Sequence, residues 1–80
     1  MTWEEAKQAF RDQVPVVYHN QMITRGIIPC TRIAELTLRM TIDGRLIRVV
    51  GGMDRNENCL YHDMPEHFDR ADALPDGRNQ

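Results

Sequence analysis

Few side chains in this sequence are equipped for chemistry. Cys30, Cys59, His19, His62 and His67 are its soft and imidazole donors, nominally enough for a zinc centre of two cysteines and two histidines. Their spacing argues otherwise. Cys59 and His62 are three apart, so on a shared strand they point to opposite faces. His62 and His67 are five apart with Pro65 between them, and cannot stack on one helical face as ligands at i and i+4 do. Both cysteines read instead as small buried hydrophobes, and the histidines as loop residues. The chain has no serine, which excludes a serine triad. A cysteine nucleophile needs a neighbouring base and a lowered thiol pKa, and no motif supplies either. Gly51-Gly52 lacks the lysine and hydroxyl of a phosphate loop. These residues predict a protein that is not an enzyme and carries no metal or cofactor.

Arginine remains. Nine of the ten basic residues are arginine, whose planar fork suits carboxylate and phosphate alike. Residues 25–55 hold six of them against three acids, residues 56–80 hold six acids against two arginines, and the whole chain has a net charge of −2. A basic middle and an acidic end result.

The elements that must position these side chains can be read from capping, period and turn chemistry. Thr2 and Glu5 form a capping box, and Trp3, Ala6 and Phe10 fall on one face of a helix over 2–13. Pro15 ends it and pushes Val16-Val17-Tyr18 into a strand. Met22 to Cys30 is apolar but broken by Gly26 and Pro29, leaving one short edge strand or two kinked ones. From Ile33 to Ile42 the pattern alternates strictly. Asp43-Gly44 then fits a two-residue type I′ hairpin loop, which pairs Leu38 with Val49, Met40 with Ile47 and Arg39 with Arg48. Leu36, Leu38, Met40, Ile47 and Val49 would share an apolar face, while Arg39 and Arg48 oppose each other on the polar one. Like charges so placed repel, so an anion or a partner carboxylate between them is the functional reading, and two arginines splayed into water the plain one.

Gly51-Gly52 allows sharp curvature at the end of the second strand. Cys59 to His62 supplies a last short strand, and Met64 to Phe68 a helical turn in which Phe68 plugs an open end. Ile, Leu, Val and Phe number 18 of 80, enough for one thin core. The expectation is an α+β, mostly β domain: an N-terminal helix and a small antiparallel SH3-like barrel of four to five strands over 15–69, with 70–80 a flexible polar tail; the competing arrangement is an open α+β sheet covered by the same helix. No run reaches the ~20 apolar residues of a membrane-spanning helix, and no signal peptide is visible, so a cytoplasmic protein is expected.

Pro15-Val16-Val17-Tyr18, the long strand through Leu38-Arg39, Asp43-Gly44-Arg45-Leu46, Met53-Asp54-Arg55-Asn56-Glu57-Asn58-Cys59-Leu60 and Pro65-Glu66 together resemble small proteins of prophages and conjugative elements of Gram-positive bacteria. Cys59 stands where that pattern usually has serine, and the Met22 to Pro29 segment is longer than usual. The resemblance implies a helix and a compact β-barrel but no activity. Taken together, the expectation is a protein-interaction module of a phage or mobile element, able to self-associate through an open edge. The alternative is a weak nucleic-acid-binding accessory protein using Arg39 and Arg48 with Arg32, Arg45 and Arg55. Only Tyr18 and Tyr61 are offered to stack on bases, and overall acidity disfavours DNA.

Overall fold

The computed structural model describes residues 1–22 and 26–73. Helix α1 spans Trp3–Asp12, and the capping box is formed: Glu5 N–H donates to the Thr2 hydroxyl while the Glu5 carboxylate accepts from Thr2 N–H. Gln13, in the left-handed region at φ 54°, closes the helix two residues before the proline. The buried stripe is Ala6 and Ala9, small enough to bring the helix close to the sheet, with Trp3 half-buried beside them.

Five strands follow: β1 (Val16–His19), β2 (Ile27–Met40), β3 (Leu46–Asp54), β4 (Leu60–Asp63) and β5 (Phe68–Arg70), with 3-10 turns at Pro65–His67 and Ala71–Ala73. All pairs are antiparallel and the spatial order is β4-β3-β2-β1-β5. The α+β class and the antiparallel sheet are as expected. The sheet is not closed into a barrel, because the last strand pairs with β1 and not with β4. Its two edges are nevertheless joined by the short Met64–His67 link, and the Tyr18 ring packs on Tyr61 of β4 at 5.6 Å and on Phe68 of β5 at 5.0 Å. The sheet therefore curls around a core of Val16, Tyr18, Cys30, Ile33, Val50 and Phe68.

Several expectations need correction. β2 is one strand of 14 residues running straight through Pro29, which the sheet tolerates because that end pairs only with β1 and leaves the proline nitrogen on an open side. Ile33, assigned to the polar face by strict alternation, is fully buried, since the register shifts between Ile33 and Glu35 turn it inward alongside Leu36. Gly52 lies inside β3 rather than ending it: a Cβ there would sit 2.8 Å from the Phe68 ring. Phe68 is fully buried but opens β5, and Ala71 N–H donates to Pro15 O, so ordered structure runs on to Ala73 where a tail was expected from residue 70. Residues 74–80 lie outside the described residues, as do residues 23–25 of the Met22 to Cys30 segment.

The hairpin register is also different. Leu38 pairs with Arg48, Arg39 with Ile47 and Met40 with Leu46, one residue off the I′ alignment. Gly44 N–H donates to Thr41 O and Thr41 N–H to Arg45 O, enclosing a three-residue loop of Ile42, Asp43 and Gly44. Only Gly44 has positive φ, at 87°, so the loop is a type I turn closed by a glycine bulge, and Asp43 never takes the left-handed conformation that type I′ demands.

Candidate interaction surface

A one-residue slip moves every side chain of one strand to the other face. Arg48 consequently shares its face with Leu36, Leu38, Met40, Leu46 and Val50, the face on which α1 lies, whereas Arg39 falls on the opposite face with Ile47 and Val49. The expected Arg39/Arg48 pair does not exist, and with it goes the two-arginine anion clamp built on it. Arg48 instead lies over the Trp3 ring, its guanidinium carbon 5.8 Å from the ring centroid. Among the described residues neither Arg39 nor Arg48 has a carboxylate within ion-pair distance. The other arginines of the nucleic-acid reading are dispersed too: Arg32 pairs with Glu57 at 3.5 Å and Arg45 with Asp43 at 3.1 Å. Tyr18 is buried, so it offers no stacking platform.

What the corrected register builds is a projecting ribbon. β1 accompanies β2 only over Ile27–Cys30, and β4 accompanies β3 only over Val50–Met53. From Leu36 to Met40 and Leu46 to Val49 the two strands have only each other as sheet neighbours. Leu38, Met40 and Leu46 are 59, 70 and 63% exposed on one face of this ribbon, and Ile42 at its tip is fully exposed. A two-stranded ribbon is marginal in water without a covering element, and contiguous apolar exposure of this kind marks an interaction site. Lys7, Arg11 and Phe10 on α1 flank Leu36 at the ribbon's base, so the apolar stripe has a basic border.

Beside the ribbon lies a groove of ≈ 280 Å³ between the start of α1, the Pro65–His67 turn and the open edge of β3, lined by Trp3, Leu46, Arg48, Met64 and Glu66 among others. Nothing in the sequence pointed to it: its walls come from residues 1–3, 46–48 and 64–66 and meet only once the chain has folded.

Several other polar side chains of the described residues bond to one another. Asp63, 15% exposed, accepts from Tyr18 Oη and Asn20 Nδ2 at 2.7 Å each and from Met64 N–H at 2.8 Å, with His67 Nε2 at 3.8 Å. Burial pushes its carboxyl up, but the Tyr18, Asn20 and Met64 bonds and the nearby imidazole outweigh this and hold it below the usual aspartate range. Burial, followed by the hydrogen bond to Asp63 and that carboxylate's charge, raises the Tyr18 phenol. His19 meets Asp69 at 2.8 Å and His62 meets Glu35 at 2.7 Å. These pairs tie β1 to β5 and β2 to β4. Cys30 is buried, and desolvation, then the Asp54 charge, pushes its thiol to about 11, the opposite of nucleophile activation. Cys59, expected to be buried, is exposed, because it precedes β4 in the turn that leaves Asp54. Among the described residues, no three metal-ligating side chains come together. None of the helices described is long and apolar enough to cross a membrane.

No family model matches the chain, and no curated protein or solved structure matches it either.

Proposed function

We propose that the chain is a small non-enzymatic protein-interaction module whose binding element is the β2–β3 ribbon, serving a phage or mobile genetic element in the cytoplasm. The observation that carries this reading is the exposed Leu38, Met40 and Leu46 face on a ribbon with no strand at either side. A partner element laid on that face supplies the apolar cover that the small domain itself cannot, and the unpaired charges of Arg39 and Arg48 favour a partner surface that mixes apolar with acidic side chains. The strand order, with β5 returning to β1 after a 3-10 turn, is what supports an SH3-like reading of this open sheet. The prophage and conjugative-element setting rests on the sequence resemblance alone. Separation of the arginines onto two faces removes the main support for nucleic-acid binding.

The test is a comparison of wild type with the double variant Leu38→Asp plus Met40→Asp, both immobilised and exposed to nuclease-treated extract of the producing cells at low and high salt. The reading expects proteins retained by the wild type, tolerant of salt, and lost from the variant while its circular dichroism is unchanged. Identical retention by both proteins overturns it, and retention that vanishes with nuclease or falls steeply with salt selects nucleic acid instead.

A further inference from the structure

β3 outruns its outer neighbour. β4 ends at Asp63, opposite Val50, whereas β3 begins four residues earlier at Leu46. The Thr41 N–H to Arg45 O bond fixes which residues of the ribbon bond to each other. In an antiparallel ladder bonded and non-bonded pairs alternate, so Arg39 and Ile47 form a bonded pair, and Leu38–Arg48 and Met40–Leu46 non-bonded ones. The N–H and C=O groups of Leu46 and Arg48 therefore point away from β2, toward the side where β4 has already stopped. That side is the groove, whose far wall is Trp3, Met64 and the Pro65–His67 turn.

We propose that this edge takes an extended segment of a partner protein as an added antiparallel strand in line with β4, with an acidic side chain opposite Arg48 and an apolar one opposite Leu46. The proposal deepens the protein-binding reading above and rests on it. Strand addition satisfies two residues' worth of open backbone groups in one step and leaves alternate side chains to confer specificity. Residues directly opposite across a pair share a face, so the partner's side chains opposite Arg48 and Leu46 both turn toward α1. There both face the groove, whose lining includes Trp3, Leu46 and Met64, the last 39% exposed, and the first meets a guanidinium that has an aromatic ring beneath it and, among the described residues, no carboxylate. A second copy of the chain suits the edge poorly. Two β3 strands paired here bring two Arg48 side chains into one short stretch, and the nearest acid of the hairpin, Asp43, is already bonded to Thr41 and Arg45.

The probe is an N-acetylated, C-amidated pentapeptide, Thr-Glu-Val-Leu-Thr, titrated into ¹⁵N-labelled protein. Expected are shifts of the Leu46, Ile47 and Arg48 amides and the Trp3 indole, weakened about tenfold when lysine replaces the peptide's glutamate, a difference of roughly one charge-assisted hydrogen bond. Methylating the glutamate's backbone nitrogen should abolish binding, since that N–H must reach Arg48 O, whereas methylating the central valine nitrogen, which points away from β3, should not. In Arg48→Glu the order of the glutamate and lysine peptides should reverse. The peptide arms leave the protein untouched and decide the matter even if that variant unfolds. Absence of shifts at Leu46–Arg48, or equal binding by both methylated peptides, overturns the proposal. If the peptide fails while Leu38→Asp plus Met40→Asp still loses its captured proteins, the edge inference falls and the module reading stands. If the variant retains them, the module reading falls too.

Discussion

Asp63 holds a three-donor polar junction, and its removal has a calculable signature. Its two carboxylate oxygens take the Tyr18 hydroxyl, the Asn20 amide and the Met64 N–H, joining β1 to the end of β4 across 45 residues of sequence. Asparagine keeps the size but offers one acceptor oxygen, so at least one of these donors must face an amide NH₂. A buried donor left without its acceptor costs about 1–3 kcal/mol, so Asp63→Asn should lose about 2 kcal/mol at pH 7, or roughly 8–16 °C in Tm for a domain of this size. The pH dependence gives the sharper test. Asp63 has a folded pKa below its unfolded value of about 3.9, so the unfolded chain binds the extra proton as acid is added. Its contribution is complete at neutral pH and begins to fade below about pH 5, disappearing as pH falls through the folded pKa. The asparagine variant has no such loss. Urea unfolding of both proteins between pH 7 and pH 2.5 should therefore show a gap that is widest above pH 5 and narrows in acid. Equal stabilities at pH 7, or a gap that is constant down to pH 2.5, would refute the assignment of Asp63 as an ionised acceptor at this junction.

Three further substitutions and one reaction probe separate parts of the fold. Gly52→Ala places a Cβ 2.8 Å from the Phe68 ring and 3.1 Å from Cys30 Sγ, so it should cost about 2–3 kcal/mol by overpacking; Gly51→Ala, whose Cβ meets the Glu35 and His62 side chains at 3.2 Å on the outer side, should cost less, and the reverse order in urea unfolding would contradict the inward placement of Gly52. Thr2→Ala removes the helix cap and should cost about 1 kcal/mol, read from the urea midpoint. Under native conditions iodoacetamide at pH 8 should modify Cys59 and spare Cys30, with mass spectrometry after digestion locating the label; burial raises the Cys59 thiol as well, followed by the Asp54 charge, so its reaction should be slower than that of free cysteine.

The parts of the structure legible in the sequence are those set by local rules. The capping box over Thr2 and Glu5 formed as read, and the alternation after Ile33 does mark a long strand. Asp43-Gly44 marked a hairpin but not its register. The pair serves a two-residue type I′ loop, and equally the last two positions of a three-residue type I loop with a glycine bulge. The first needs two left-handed residues, and here only Gly44 is one. From that single residue the functional reading inverted: Arg48 moved to the face of α1, and the arginine pair dissolved. The bulge that turns Ile33 inward and the three-residue β5 have no pattern long enough to register against period two. The Asp63 junction joins residues 43 and 45 apart in the chain, and the Trp3 groove joins three separate segments, contacts that no windowed reading of the sequence contains.

The arginines on the ribbon admit a second role, and the two roles make different demands on geometry. Charged side chains along exposed strands guard against edge-to-edge aggregation, and Arg39 fits that description: it lies on the face away from α1 and makes no ion pair among the described residues. A guard gains nothing from a groove, since its purpose is to keep other strands away from flat edges. Arg48 is placed differently. It stands above Trp3 at the mouth of a concave site, beside backbone groups that no strand of the described residues covers, on a side chain that strand addition would carry into contact with an incoming acid. Charge at a concave edge discriminates among strands rather than excluding all of them. Replacement of Arg39 by alanine should then lower solubility without changing peptide binding, while replacement of Arg48 by alanine should weaken the glutamate peptide alone.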